Sequence, residues 1–295
     1  MKIDLKDYKH VLIVGNGFDL NLGLNTSYSG YLESNEFQSL LGANHLADYL
    51  NRCSKTSKWV DIEKELYEYS VSLFYRVRGK YKPILDKRDL IKNLRSEYNA
   101  ICLSLKFYLE RVTKYSFNPD RTASFYILNK VFKEKDIKTY ILTFNYTNII
   151  ERLHSIFFSL NDDFYINHIH GSLSDENIVF GIEDSVDVSK EHIFLYKSYN
   201  KNQNINGLIS VFENADKLTF FCYSLGETDH SYFDDFFKAQ TMPDCNRKNL
   251  TFYHYGSEAY DDLVWQLRTL TNNRLSYLKQ YNNLEFIDVM NWEKD

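Results

Sequence analysis

Residues Val11–Tyr28 read VLIVGNGFDLNLGLNTSY. The run Val11-Leu12-Ile13-Val14 is apolar, as a strand buried on both faces requires, and it passes straight into Gly15-Asn16-Gly17. A strand that ends in closely spaced glycines is how α/β proteins open a nucleotide site. The glycines let the backbone turn tightly and approach a diphosphate, and the next helix offers its N–H groups to the anion. Leu20 stands at the third glycine position of G-x-G-x-x-G and the next glycine is Gly23, so the stretch is a variant of that fingerprint.

Outward from this segment, further strands are expected at Lys138–Phe144, Phe164–His168, Ile178–Gly181, Lys217–Tyr223 and Leu250–Tyr255, with the first strand at His10–Gly15. Helical patterns follow at Asn148–Phe158, His230–Ala239 and Ser257–Leu270. Alternation at this spacing predicts an α/β fold with a Rossmann-like, doubly wound, mostly parallel sheet. The segment from about 29 to 136 reads as almost wholly helical and is expected to be an insertion within one domain spanning 1–295. In it, Leu90, Leu94, Tyr98, Ile101, Leu105, Leu109 and Val112 form one apolar seam, which is either core packing or a surface for homo-oligomer formation.

The chain has 295 residues, 16% aromatic content, and only 11 Gly and 3 Pro, a balance that favours long elements and short loops over disorder. Cys53, Cys102, Cys222 and Cys245 are scattered without a C-x-x-C pair, which excludes a cysteine zinc ribbon and fits reduced thiols in a cytoplasmic protein. A net charge of -5 gives no footprint for nucleic acid, and the cluster Arg76-Val77-Arg78-Gly79-Lys80 reads as a solvated turn. No apolar stretch reaches bilayer-spanning length, so no membrane partner is expected.

Polar clusters stand where strands should end, the place at which open α/β sheets hold ligands. They are Gly15-Asn16-Gly17-Phe18-Asp19, Thr143-Phe144-Asn145-Tyr146-Thr147, His168-Ile169-His170-Gly171-Ser172 and Tyr223-Ser224-Leu225-Gly226-Glu227-Thr228-Asp229-His230. Asp19 is either a helix N-cap or an acceptor for ribose hydroxyls. Asn145 is either a turn residue or a fixed amide that orients water or a ribose. His170 is either a satisfied turn histidine or a general base near neutrality. His168 and His170 share a strand face but lack a third ligand at recognisable spacing, so no metal is expected.

These pieces, together with Gly23-Leu24-Asn25-Thr26-Ser27-Tyr28 and Trp59-Val60-Asp61-Ile62-Glu63, resemble the AbiH-like family of bacterial phage-defence (abortive infection) proteins, which in turn resembles sirtuin-like NAD-binding domains. In the wider group a Gly-Ala-Gly-x-Ser turn, a Thr-x-Asn-x-Asp turn and a His-Gly pair surround NAD. Here Gly15-Asn16-Gly17-Phe18-Asp19, Thr143-Phe144-Asn145-Tyr146-Thr147 and His170-Gly171 stand in those positions. Asn16, Asp19 and Thr147 depart from the pattern, and the deacylase zinc module is absent, which argues against protein deacylation and leaves NAD cleavage open.

The resemblance implies NAD as substrate or ligand, with Asn145 and His170 catalytic and Gly15, Asn16, Gly17, Phe18, Asp19, Thr143, Tyr146 and Ser224 around the nucleotide. Glu63 either reaches that site or is a plain helix carboxylate. Three functions follow as expectations: an NAD-consuming enzyme of phage defence, a nucleotide sensor that gates a partner, or a nucleic-acid-directed toxin using His168 and His170.

Overall fold

The computed structural model describes residues 5–56, 61–114, 119–134, 136–158, 164–175, 178–201 and 203–290; Trp59 and Val60 of the motif quoted above lie outside them. The chain divides into two compact units. One holds Met1–Leu24, Phe117–Ile169 and Asn204–Asp295, and the other holds Asn25–Ser116 and His170–Gln203.

The first unit is built on six strands: β1 (His10–Val14), β2 (Thr139–Thr143), β3 (Phe164–His168), β4 (Lys217–Phe221), β5 (Asn249–His254) and β6 (Asn283–Asp288). All neighbours pair in parallel, in the order β3-β2-β1-β4-β5-β6. This is the doubly wound Rossmann-like order, with its switch point between β1 and β4. Every residue of β1, β2 and all but the first of β4 is buried, which explains their apolar-rich sequences.

Alternate side chains of β1 feed opposite cores. Val11 and Ile13 join Val211, Phe212, Phe237 and Leu267 on one face, whereas Leu12 and Val14 join Ile127, Leu128, Ile150 and Leu153 on the other. Each such side chain contributes about 1.5–3 kcal/mol on leaving water. His10 opens β1 within this apolar setting, with Nε2 2.9 Å from Thr219 Oγ1 and Nδ1 3.3 Å from Thr139 Oγ1. Burial pushes its pKa down to about 3, so it stands as a neutral member of the ladder.

β6 has no counterpart among the expected strands. It is an edge strand of mixed exposure, NLEFID, and its polar residues hide it from a search for apolar runs. The expected strand Ile178–Gly181 is not one. That stretch is buried loop, followed by a single bridge between Ile182 and Tyr196, and a Cβ on Gly181 would lie 2.2 Å from the Leu195 carbonyl oxygen. Its apolar character records burial without a ladder.

The second unit is helical at Tyr28–Leu32, Asn35–Gln38, His45–Thr56, Ile62–Ser72 and Arg88–Lys114. Ser27, Ser34 and Asp61 cap three of these helices by accepting from the N–H groups of Gly30, Phe37 and Lys64. The seam of the long helix is core: Leu94, Ile101, Leu105 and Leu109 are buried, and Tyr31 donates to the Ile101 carbonyl at 3.0 Å. The basic cluster is the tip of an antiparallel hairpin, Phe74–Val77 with Lys80–Pro83. Arg78 (φ 49°) and Gly79 (φ 75°) make a turn whose two positive φ values match hairpin twist. The helix Ala123–Lys133, in contrast, packs with the sheet unit.

Candidate functional site

Register sets the site. Val14, Thr143, His168 and Phe221 stand at one level across β1, β2, β3 and β4, so the residues just after them crowd the carboxyl edge at the switch point. There Gly15 donates its N–H to the Phe221 carbonyl (3.2 Å), and Phe144 donates to that of Val14 (2.9 Å). A Cβ on Gly15 would meet the Cys222 carbonyl oxygen at 2.5 Å, and one on Gly17 would meet the Cys222 Cβ at 2.7 Å. Both glycines therefore answer to the close approach of the chain after β4. Because the Gly15 N–H is spent on the sheet, a phosphate has fewer donors here than the motif implies. Cys222 itself has φ 50°, and burial pushes its thiol up to about 12, so it is inert packing.

Asp19 is not the N-cap of the helix Gly17–Asn21; Asn16 holds that place, with no side-chain cap bond. Asp19 is instead 1% exposed, and its carboxylate joins two residues of the turn after β2. Asn145 Nδ2 donates to Oδ1 at 3.3 Å and Thr147 Oγ1 donates to Oδ2 at 2.6 Å. A carboxylate only accepts, so the amide must turn its NH2 toward Asp19. Asn145 Oδ1 is then buried with no hydrogen-bond partner among the described residues. The Asn145 backbone is fixed as well: its N–H donates to Thr143 Oγ1 (3.1 Å) and its carbonyl lies 2.9 Å from His168 Nδ1.

His168 completes the chain, with Nε2 2.7 Å from Glu151 Oε1. Burial raises the Glu151 carboxyl, but the hydrogen bond and charge of His168 outweigh it, and its pKa is held below the ordinary value. A carbonyl on one side and a carboxylate on the other both require donors, so the imidazolium form satisfies both. With both ring nitrogens engaged, His168 is a positioning residue for Asn145. Among the described residues no group of three or more His, Cys, Asp or Glu is placed to hold a metal ion.

The remaining expected residues divide in two. Phe18, Thr143 and Tyr146 are buried in this unit, while Asn16 and Ser224 are exposed at the same edge. Phe144 stacks on Tyr223 with centroids 4.3 Å apart. His170 belongs to the other unit, where it is buried and its carbonyl accepts from the Val179 N–H at 2.7 Å. Glu63 is also there, 2.9 Å from the buried ammonium of Lys197. Glu151 escaped the sequence reading; its signal was a carboxylate in the first turn of the helix Ile149–Phe157, just after the Asn145 turn.

Among the described residues no helix is long and apolar enough to cross a membrane. No curated protein matches the chain. Residues 11–253 match the family model described as bacteriophage abortive infection AbiH, from within β1 to within β5, and the chain belongs to that family.

Proposed function

We propose that this member of a phage abortive-infection family binds a nucleotide, NAD foremost, at the carboxyl edge of the sheet unit and hydrolyses its nicotinamide–ribose bond. The observation that carries the reading is Asn145 Oδ1, a buried acceptor at the switch point, held in place from three sides and without a hydrogen-bond partner among the described residues. An acceptor fixed in this way suits a ribose hydroxyl or an attacking water. Two of the three departures from the sirtuin-like pattern, Asp19 and Thr147, meet in the fold: the hydroxyl and carboxylate positions are exchanged, and Thr147 donates to Asp19. In the reaction, water oxygen bonds to the ribose carbon, the glycosidic electron pair returns to the nicotinamide ring, and one proton is released.

A second reading, a nucleotide sensor without turnover, is favoured by the state of the cluster itself. Both carboxylate oxygens of Asp19 and both ring nitrogens of His168 are hydrogen-bonded, so neither stands ready to take that proton. The resemblance assigns the proton to His170. Incubation of purified protein with NAD, with and without infected-cell lysate, separates the readings when nicotinamide release and calorimetric binding are followed together. Release that disappears in Asn145→Ala and in His170→Ala, with melting temperatures retained, supports the enzyme. Binding without release under either condition selects the sensor, and neither binding nor release sinks both.

A further inference from the structure

We infer that the helical unit carries a separate site for a small oxyanion, a phosphate or carboxylate group, in the cleft between its helices. The cleft has a volume of ≈ 280 Å³ and lies between His45–Thr56, Ile62–Ser72 and the start of Arg88–Lys114. His45, Asp48, Tyr49 and Arg52 line it at helical spacing from the first of these, Tyr69 from the second, and Lys87 beside the third.

Charge and hydrogen bonding agree on the ligand. Arg52 and Lys87 bring two cations, and Asp48 the single carboxylate. Asp48 Oδ1 is occupied by the Gly42 N–H at 3.0 Å, His45 Nδ1 by Glu97 at 2.8 Å, and Lys87 Nζ donates one bond to the Ser72 carbonyl at 2.8 Å. Arg52, in contrast, has no hydrogen-bond or ion-pair partner among the described residues. The Tyr69 hydroxyl is buried and makes no hydrogen bond either. Burial, then the nearby Glu97, pushes its pKa up to about 12, so it remains a donor. A guanidinium fork, an ammonium with protons to spare and an unused hydroxyl donor on one concave wall are the donor set of an oxyanion site. The volume is at the small end for ligand pockets, which fits a compact anion.

The two sources of this chemistry are separated by calorimetry on the full chain with inorganic phosphate, AMP and citrate as probes. At least one probe is expected to bind, about tenfold more weakly in Arg52→Ala and in Lys87→Ala, as loss of one charge-assisted contact implies. Tyr69→Phe is the discriminating variant. Its hydroxyl bonds to nothing among the described residues, so the melting temperature without ligand should hold or rise while affinity falls. Asn145→Ala should leave this binding unchanged, which keeps the result independent of the NAD site. Failure of all three probes, full affinity in Tyr69→Phe, or loss in Asn145→Ala in place of Arg52→Ala overturns the assignment.

Discussion

At the carboxyl edge of the sheet unit, Asp19 is buried against an amide and a hydroxyl; in the helical unit, Glu63 is buried against the ammonium of Lys197. The first arrangement uses neutral, short side chains on turns fixed by strand register, and one acceptor is left facing away from the carboxylate. The second cancels charge with charge: Lys197 lies 2.9 Å from Glu63 and 3.7 Å from Glu183, with 2% of its side chain exposed. Neutral donors hold geometry without filling the site, and a counter-charge closes it.

The largest effect should come from breaking the second network. Lys197→Met keeps volume but removes the buried ammonium that stands against the Glu63 and Glu183 carboxylates, and the expected loss is about 3–5 kcal/mol in urea unfolding. A loss below about 1 kcal/mol would mean that solvent screens the pair, and the contrast with Asp19 would collapse.

Smaller, and more informative about function, is Asp19→Ala. It strands the Asn145 amide and the Thr147 hydroxyl, at an expected cost of about 1–3 kcal/mol. Nucleotide binding should fall with it, since the carboxylate is what fixes the orientation of the Asn145 amide and so keeps Oδ1 unbonded. The exchange Asp19→Ser with Thr147→Asp restores a hydroxyl–carboxylate pair in the opposite sense. Stability and binding in this double variant should exceed the sum of the single changes. Strict additivity would show that the two residues do not act as a pair.

The contrast between the networks also marks how far the sequence could be read. Buried parallel strands are rich in apolar residues, so β1, β2, β4 and β5 declare themselves, and the residues that follow them declare the candidate site's edge. The hydrogen bond from Asn145 to Asp19 spans 126 positions and exists only because β1 and β2 are neighbours in register. No local pattern encodes it, and Thr147 therefore reads as a departure from the sirtuin-like pattern where it is Asp19's partner. The attachment of 170–203 to the helical unit is equally silent, because nothing in its composition marks a boundary at Ile169. Lys197 is hidden for another reason: a buried lysine is indistinguishable in sequence from a solvated one until its carboxylate is located.

The smallest expected effect tests the helical unit's charge logic at its surface. Arg111 grips Glu36 with two parallel bonds, Nε to Oε1 at 2.5 Å and Nη2 to Oε2 at 3.0 Å, and half of the arginine side chain is exposed. The Arg111 hydrogen bond holds the Glu36 pKa down to about 2 from 4.5. A carboxyl depressed in the folded state adds stability that is full above its unfolded value and is lost as pH falls through the folded one. Solvent screening reduces its worth to about 0.5–1 kcal/mol, well below that of the buried lysine pair. Arg111→Ala should therefore lower stability by that amount near neutrality, and the difference from the parent should close as pH falls from 4.5 toward about 2. Arg111 also lies over the Tyr108 ring, 5.4 Å from its centroid. A difference that persists undiminished at the acid end would assign the contribution to that ring contact, and the exposed ion pair would then add nothing against which the buried one could be compared.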